Sequence, residues 1–237
     1  MRTYLLLILA IFFGCTSNKN YGKKEQPSSI EQHVKRDTLI INNKVYYLDS
    51  IPEATFKSLK KDTEKKHKTE SIDDTPNVIR DSLRLIFHLR NGADSVLVND
   101  TTEGWANYID YGYMKACSEI DYWLIDITFY EGSMYLLLDR ENGEEIWIWG
   151  RPVLSPNNKY FVCYSFDLEA GYDSNGFQLF DVINNKAILR FSKEIADWGP
   201  TEIRWKNDSI ICIEQTRIDF NDSKDQYKES YVEMTIN

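Results

Sequence analysis

Histidine is scarce in this chain, with 3 among 237 residues. His33 lies in a polar N-terminal stretch, His67 in a run of charge, and His88 on the alternating segment SLRLIFHL, opposite Leu83, Leu85 and Phe87. Neither H-E-x-x-H nor H-x-H occurs, which speaks against a histidine-based metal centre. A Ser-His-Asp triad would have to use His88, and no G-x-S-x-G elbow presents a nucleophile to it. Without a P-loop or a G-x-G-x-x-G turn, no backbone cradle for nucleotide phosphates is in sight. Cysteine is also sparse. Beyond Cys15 there are Cys117, Cys163 and Cys212, an odd number, so at least one thiol stays unpaired. Cys163 and Cys212 sit inside the apolar runs KYFVCYSF and SIICIE, which predicts buried free thiols. The apolar run at the N-terminus, Leu5 to Phe13, is far short of the roughly 20 residues a membrane-crossing helix needs.

What is present begins with charge and aromatics. Residues 1–70 hold 13 basic and 8 acidic side chains, whereas residues 71–237 hold 15 basic and 29 acidic ones. So acidic a body repels phosphates, which excludes nucleic acid as a partner. The basic N-terminal part suits proximity to anionic lipid headgroups. Aromatics make up 14% of the chain, enough to build a core.

The short run LLLILAIFFGCTSN follows one basic residue, Arg2, and ends on Gly14 and Cys15. It has the layout of a secretory signal, and it resembles a bacterial lipoprotein signal of the relaxed kind known from Bacteroidota. The resemblance implies a signal peptide over 1–14 and cleavage before Cys15. Cys15 would then be the lipid attachment site, carrying acyl chains on its thiol and new N-terminus. Phe12 and Phe13 depart from the leucine and small residue usual there. Acyl chains anchor stably when several act together, so the resemblance implies a cell-envelope protein at the outer membrane. Surface-exposed lipoproteins of that kind tend to carry acids right after the Cys; Thr16-Ser17-Asn18-Lys19-Asn20 has none, so the resemblance implies the periplasmic side.

Residues 15–36 are polar and read as a flexible tether. Residues 37–77 read as a small strand-helix segment with a linker. DTLIINNKVYYLDS predicts two strands across Asn42–Asn43, and Pro52 opens a short amphipathic helix on Ile51, Phe56 and Leu59 that fades into a charged tail. From residue 78 to 237 alternation with period two dominates, with turns at Asn91–Gly92, Glu131–Gly132 and Asn142–Gly143, the last read as a two-residue hairpin turn. The expected fold class is all-β, mainly antiparallel, with one short N-terminal helix.

PVLSPNNKYFVCYS and PTEIRWKNDSIICIE share a pattern at an interval of 48 residues, Pro152 to Pro200. SPNNKYFV followed by GFQLFDV resembles the turn and strand of WD40-like and TolB-like propeller blades, with Asn158 in place of the usual glycine. The resemblance covers about residues 120–237 and implies a binding scaffold without naming a chemistry. About three blades would fit, fewer than the roughly 4–8 of a closed ring. The architecture is therefore either a partial propeller-like sheet stack or a β-sandwich.

Two candidate sites stand out. DLEAGYDSNG gathers Asp167, Glu169, Asp173 and Asn175 within one loop. Ca2+ takes about six to eight oxygens from flexible loops, and Asp173-Ser174-Asn175-Gly176 has the D-x-N-G core of such loops, although the later glutamate is missing. The same residues also serve an ordinary inter-strand loop. Trp198, in the loop Ala196-Asp197-Trp198-Gly199-Pro200, is the candidate anchor for a protein or glycan partner, whereas Trp147, Trp149 and Trp205 read as core. Two functions compete: a non-enzymatic β-rich binding domain on a lipid anchor, with an exposed patch near Trp198, or an envelope carbohydrate-active hydrolase using a carboxylate pair.

Overall fold

A computed structural model describes residues 36–61, 71–72, 75–102, 107–221 and 226–236. The signal segment, Cys15, the tether through residue 35 and the charged tail at 62–70 lie outside them. The described chain is all-β and antiparallel, with one short helix, as its alternation predicts. Among the described residues no helix is long and apolar enough to cross a membrane.

Among the described residues, sixteen strands form four sheets. The first holds β3 (Val78–Asp81), β4 (Arg84–His88) and β5 (Asp94–Val98), an up-and-down meander. The second holds β6 (Ile109–Cys117), β7 (Tyr122–Phe129), β8 (Ser133–Asp139) and β9 (Glu145–Ile148). The third holds β10 (Val153–Leu154), β11 (Tyr160–Ser165), β12 (Gly176–Ile183) and β13 (Lys186–Glu194). The fourth is not a simple meander. It runs β1 (Asp37–Ile41), β2 (Lys44–Ser50), β16 (Tyr227–Thr235), β15 (Ile210–Ile218), β14 (Gly199–Asn207), so the first strands complete the last sheet.

The sheets stack through three shared cores. Leu85, Phe87 and Leu97 of the first meet Trp123, Ile125 and Leu136 of the second. The opposite face of the second, with Leu124, Leu137 and Ile148, meets Phe161, Cys163 and Phe180 of the third. Val162, Phe177 and Leu179 of the third meet Leu39, Tyr46, Ile203, Ile213 and Val232 of the fourth. Each inner strand therefore sends alternate side chains into two cores, which is why β7 and β11 read as almost continuously apolar. The short helix α1 (Glu53–Ser58) closes the far face of the fourth sheet with Phe56 against Cys212 and Tyr231.

Several expectations need correction. Residues 37–50 are not a separate segment: Asp49 and Ser50 pair with Glu233 and Val232, making the hairpin part of the domain. Local pattern marks strands but not a partner nearly the whole chain away. The sequence repeat marks hairpins of two successive sheets, β10–β11 and β14–β15; the stretch that resembles blades holds strands of three sheets, and a further sheet, β3–β5, lies ahead of it among the described residues. Asn42 and Asn43 both have positive φ, as the two-residue turn demands. Asn142–Gly143 instead lies in a wider loop closed by the Asp139–Glu144 hydrogen bond. There Asp139 Oδ1 accepts the N–H groups of Glu141 and Asn142 and stabilises the longer connection. Cys117, Cys163 and Cys212 are buried free thiols.

Candidate functional site

A cavity of about 440 Å3 opens where the second, third and fourth sheets converge. The second sheet supplies Ser133 and Tyr135, the third Val153, Tyr164 and Ser165, and the fourth Thr201, Glu202 and Ile203. Trp149, Gly150 and Arg151 lie on the connection between the second and third sheets, and Lys61 follows α1. Gly150 is what brings this connection in: a Cβ there would collide with the Tyr164 carbonyl oxygen. The Trp149 N–H donates to Gln178 Oε1 at 2.8 Å, fixing the same stretch from the other side.

Aromatic faces and paired charges characterise the lining. The Arg151 guanidinium lies 5.7 Å from the Tyr135 ring centroid, within cation–π range. Lys61 Nζ donates to Glu202 Oε2 at 2.8 Å, and Arg204 Nε and Nη2 donate to the two Glu202 oxygens at 3.1 Å each. Burial alone would raise the Glu202 carboxyl, but the hydrogen bonds and charges of Arg204 and Lys61 outweigh it and hold it below its ordinary value. Among the described residues, Glu202 is the lone carboxylate in the lining. On β7, Asp126 pairs across the ladder with Tyr135 on one side and Gly112 on the other. A Cβ at residue 112 would collide with the Asp126 carboxylate, so the glycine makes room for it. Burial, the largest influence, pushes the Asp126 carboxyl above its ordinary range; its own N–H and Arg80 oppose this, and Asp110 adds to it.

The sequence-derived sites sit beside this cavity rather than in it. Asp167 Oδ1 accepts the N–H groups of Ala170 and Gly171, and Oδ2 those of Tyr172 and Asp173. These four donors, that of Asp173 foremost, hold the Asp167 carboxyl low. Asp173 accepts from Ser133 N at 2.7 Å, which ties the loop to the cavity rim. Asn175 Oδ1 accepts from Asp167 N, while its Nδ2 donates to the Ile195 and Trp198 carbonyls. Glu169 accepts from Tyr227 Oη at 2.8 Å. Each of the four residues named for Ca2+ thus holds a protein partner of its own. Among the described residues no group of three or more His, Cys, Asp or Glu side chains is placed to hold a metal ion.

Trp198 requires a correction. It is 4% exposed and belongs to the core between the third and fourth sheets, not to an exposed patch. The loop folds inward because Asn175 grips the Trp198 carbonyl and because Gly199, lacking a Cβ, packs directly on the Phe166 ring. Trp147 is corrected the other way. It is 39% exposed and stacks on Phe129 with centroids 6.5 Å apart, whereas Trp149 lines the cavity and Trp205 is core as expected. Tyr135, Tyr164 and Arg151 carried no signal in the sequence beyond residue type, because the residues that converge here, from Lys61 to Ile203, are separated by up to 142 positions.

No protein-family model, curated protein or solved structure matches this chain.

Proposed function

We propose that this chain is a lipid-anchored cell-envelope protein, attached through Cys15 to the outer membrane on the periplasmic side, whose β-rich domain binds a ligand without transforming it. The cavity between the second, third and fourth sheets is its binding site. A glycan is the ligand class that suits the lining best. Tyr135, Trp149 and Tyr164 offer ring faces for stacking on sugar rings, and Ser133, Ser165 and Thr201 offer hydroxyls for their polar edges. The observation that carries the binding reading is the state of Glu202: the lining's one carboxylate is already committed to Lys61 and Arg204.

A carboxylate-pair hydrolase is the second reading. Its candidate carboxyls are Glu202 in the lining, held low by its cations, and Asp126, raised by burial, which is the cross-strand neighbour of the lining residue Tyr135 but is not itself a lining residue.

The test is calorimetric titration of the full chain in detergent with a panel of envelope oligosaccharides, repeated with Tyr135→Ala and Trp149→Ala. The binding reading expects heat of association without product, weakened about tenfold per ring removed, or ~1.4 kcal/mol. Product formation abolished by Asp126→Asn and Glu202→Gln would replace it with the hydrolase. Fractionation of Cys15→Ser beside wild type tests the anchor, with the wild-type chain alone expected in the detergent phase.

A further inference from the structure

The hairpin β1–β2 leaves one face bare. Leu39, Ile41, Tyr46 and Leu48 point into the core, so strand alternation turns Thr38, Ile40, Val45 and Tyr47 outward. Cross-strand pairing sets Ile40 against Val45 and Tyr47 against Thr38. Ile40 is 63% exposed, Tyr47 54% and Val45 46%, a contiguous apolar patch on one end of the domain. One cation rims it: the Arg36 guanidinium lies 5.7 Å from the Tyr47 ring centroid, while Lys44, beside the turn, lies over the core-facing Tyr46. Arg36 also pairs with Asp49 at 2.7 Å.

Two facts say what covers this face. The first is chain length: 21 residues separate Cys15 from Asp37. Fully extended they reach no more than about 75 Å, so an anchored Cys15 confines the hairpin to the neighbourhood of the bilayer. Tethering at that range makes even a weak contact highly populated. The second is charge. The stretch 15–35 leading from the anchor carries Lys19, Lys23, Lys24 and Lys35 against Glu25 and Glu31, the hairpin 36–50 balances Arg36 and Lys44 against Asp37 and Asp49, and residues 71–237 carry a net −14. An anionic leaflet therefore repels the acidic body but not the neutral hairpin behind its basic tether, which turns the hairpin toward it.

We propose that this face docks on the phospholipid surface in which Cys15 is anchored. Ile40, Val45 and Tyr47 enter the headgroup boundary, where a tyrosine ring suits both phases, and Arg36 reaches the lipid phosphates on its aliphatic stem. The proposal rests on the lipid-anchor reading given above.

The test uses the full chain, acylated at Cys15, in vesicles of phosphatidylethanolamine and phosphatidylglycerol. A nitroxide is placed at Val45→Cys in one sample and at the exposed Leu189→Cys in another; Cys117, Cys163 and Cys212 are buried and do not compete for label. Docking expects collisions with a water-soluble nickel chelate to fall several-fold at position 45 relative to 189, while oxygen collisions rise. Equal nickel access at both positions overturns docking and leaves the anchor standing. Loss of access at 45 together with spin–spin broadening means that a second copy covers the face, which also overturns it. If the chain fails to stay with the vesicles, the anchor reading fails and docking falls with it. A label at Thr38→Cys on the same face repeats the measurement in case the Val45 substitution disturbs the hairpin.

Discussion

Asp126 is a carboxylate placed where a carboxylate costs stability. It sits over Gly112 and opposite Tyr135, and burial raises its pKa above the unfolded value near 3.8. The folded chain therefore holds this proton more tightly than the unfolded chain. The contribution to stability is greatest below the unfolded pKa and is lost as pH rises through the folded one. Asp126→Asn keeps the shape and removes the charge. Its melting temperature at pH 7 is expected to exceed that of wild type, and the gap should close as the pH falls to about 4; a variant less stable than wild type at pH 7 contradicts this. Glu202 is tuned the other way by Lys61 and Arg204, and nothing in the local sequence marks either residue. Residue type was legible at Asn42–Asn43, where the turn demands positive φ twice. It misled at Trp198, where the neighbouring Gly199 decides the outcome through a close approach that no pattern of hydrophobicity reveals.

At the scale of elements, the helix α1 is too short to be stable alone. Pro52 at its start offers no side-chain cap, and along it Glu53 pairs with Lys57 and Ser58 Oγ donates to the Thr55 carbonyl. What holds it is Phe56, packed on Tyr231 with ring centroids 5.1 Å apart, and Arg204, which lies over the Phe56 ring and donates to the carbonyls of Phe56, Lys57 and Leu59. Beneath it the Cys212 thiol is pushed up by burial to about 11. Phe56→Ala should cost about 3–5 kcal/mol. It should also speed alkylation of Cys212 in the folded protein while Cys117 and Cys163 remain protected, as peptide mapping after a short exposure would show. Uniform protection of all three thiols in this variant would mean that α1 is not the cover. Most strands from β7 onward were legible, because alternation persists wherever one face meets a core, whereas β6 (IDYGYMKAC) was not. The strand β3 was not, since VIRD is too short to show a period.

At the scale of the molecule, the sheets behave as a stack whose end layer is built from both ends of the chain. Removing residues 1–77 deletes Leu39, Ile41, Tyr46 and Leu48 from the core shared by the third and fourth sheets, and removes α1 as well. A chain beginning at Val78 is therefore expected to lose near-ultraviolet circular dichroism and cooperative urea unfolding, whereas one beginning at Arg36 retains both. A cooperative transition from the shorter chain would restore the boundary that the sequence suggested. The cavity shares this history. Its lining comes from three sheets and from Lys61, so it exists only once the stack is assembled, and no window of sequence could display it.

The pairing of Asp49 with Glu233 has a kinetic side. A polypeptide that emerges N-terminus first, from ribosome or export channel, presents β1 and β2 long before their neighbour β16 exists outside. Closing so large a loop is entropically slow. The terminal layer thus matures last, and until then an apolar hairpin waits unpaired, a natural client for a holding chaperone.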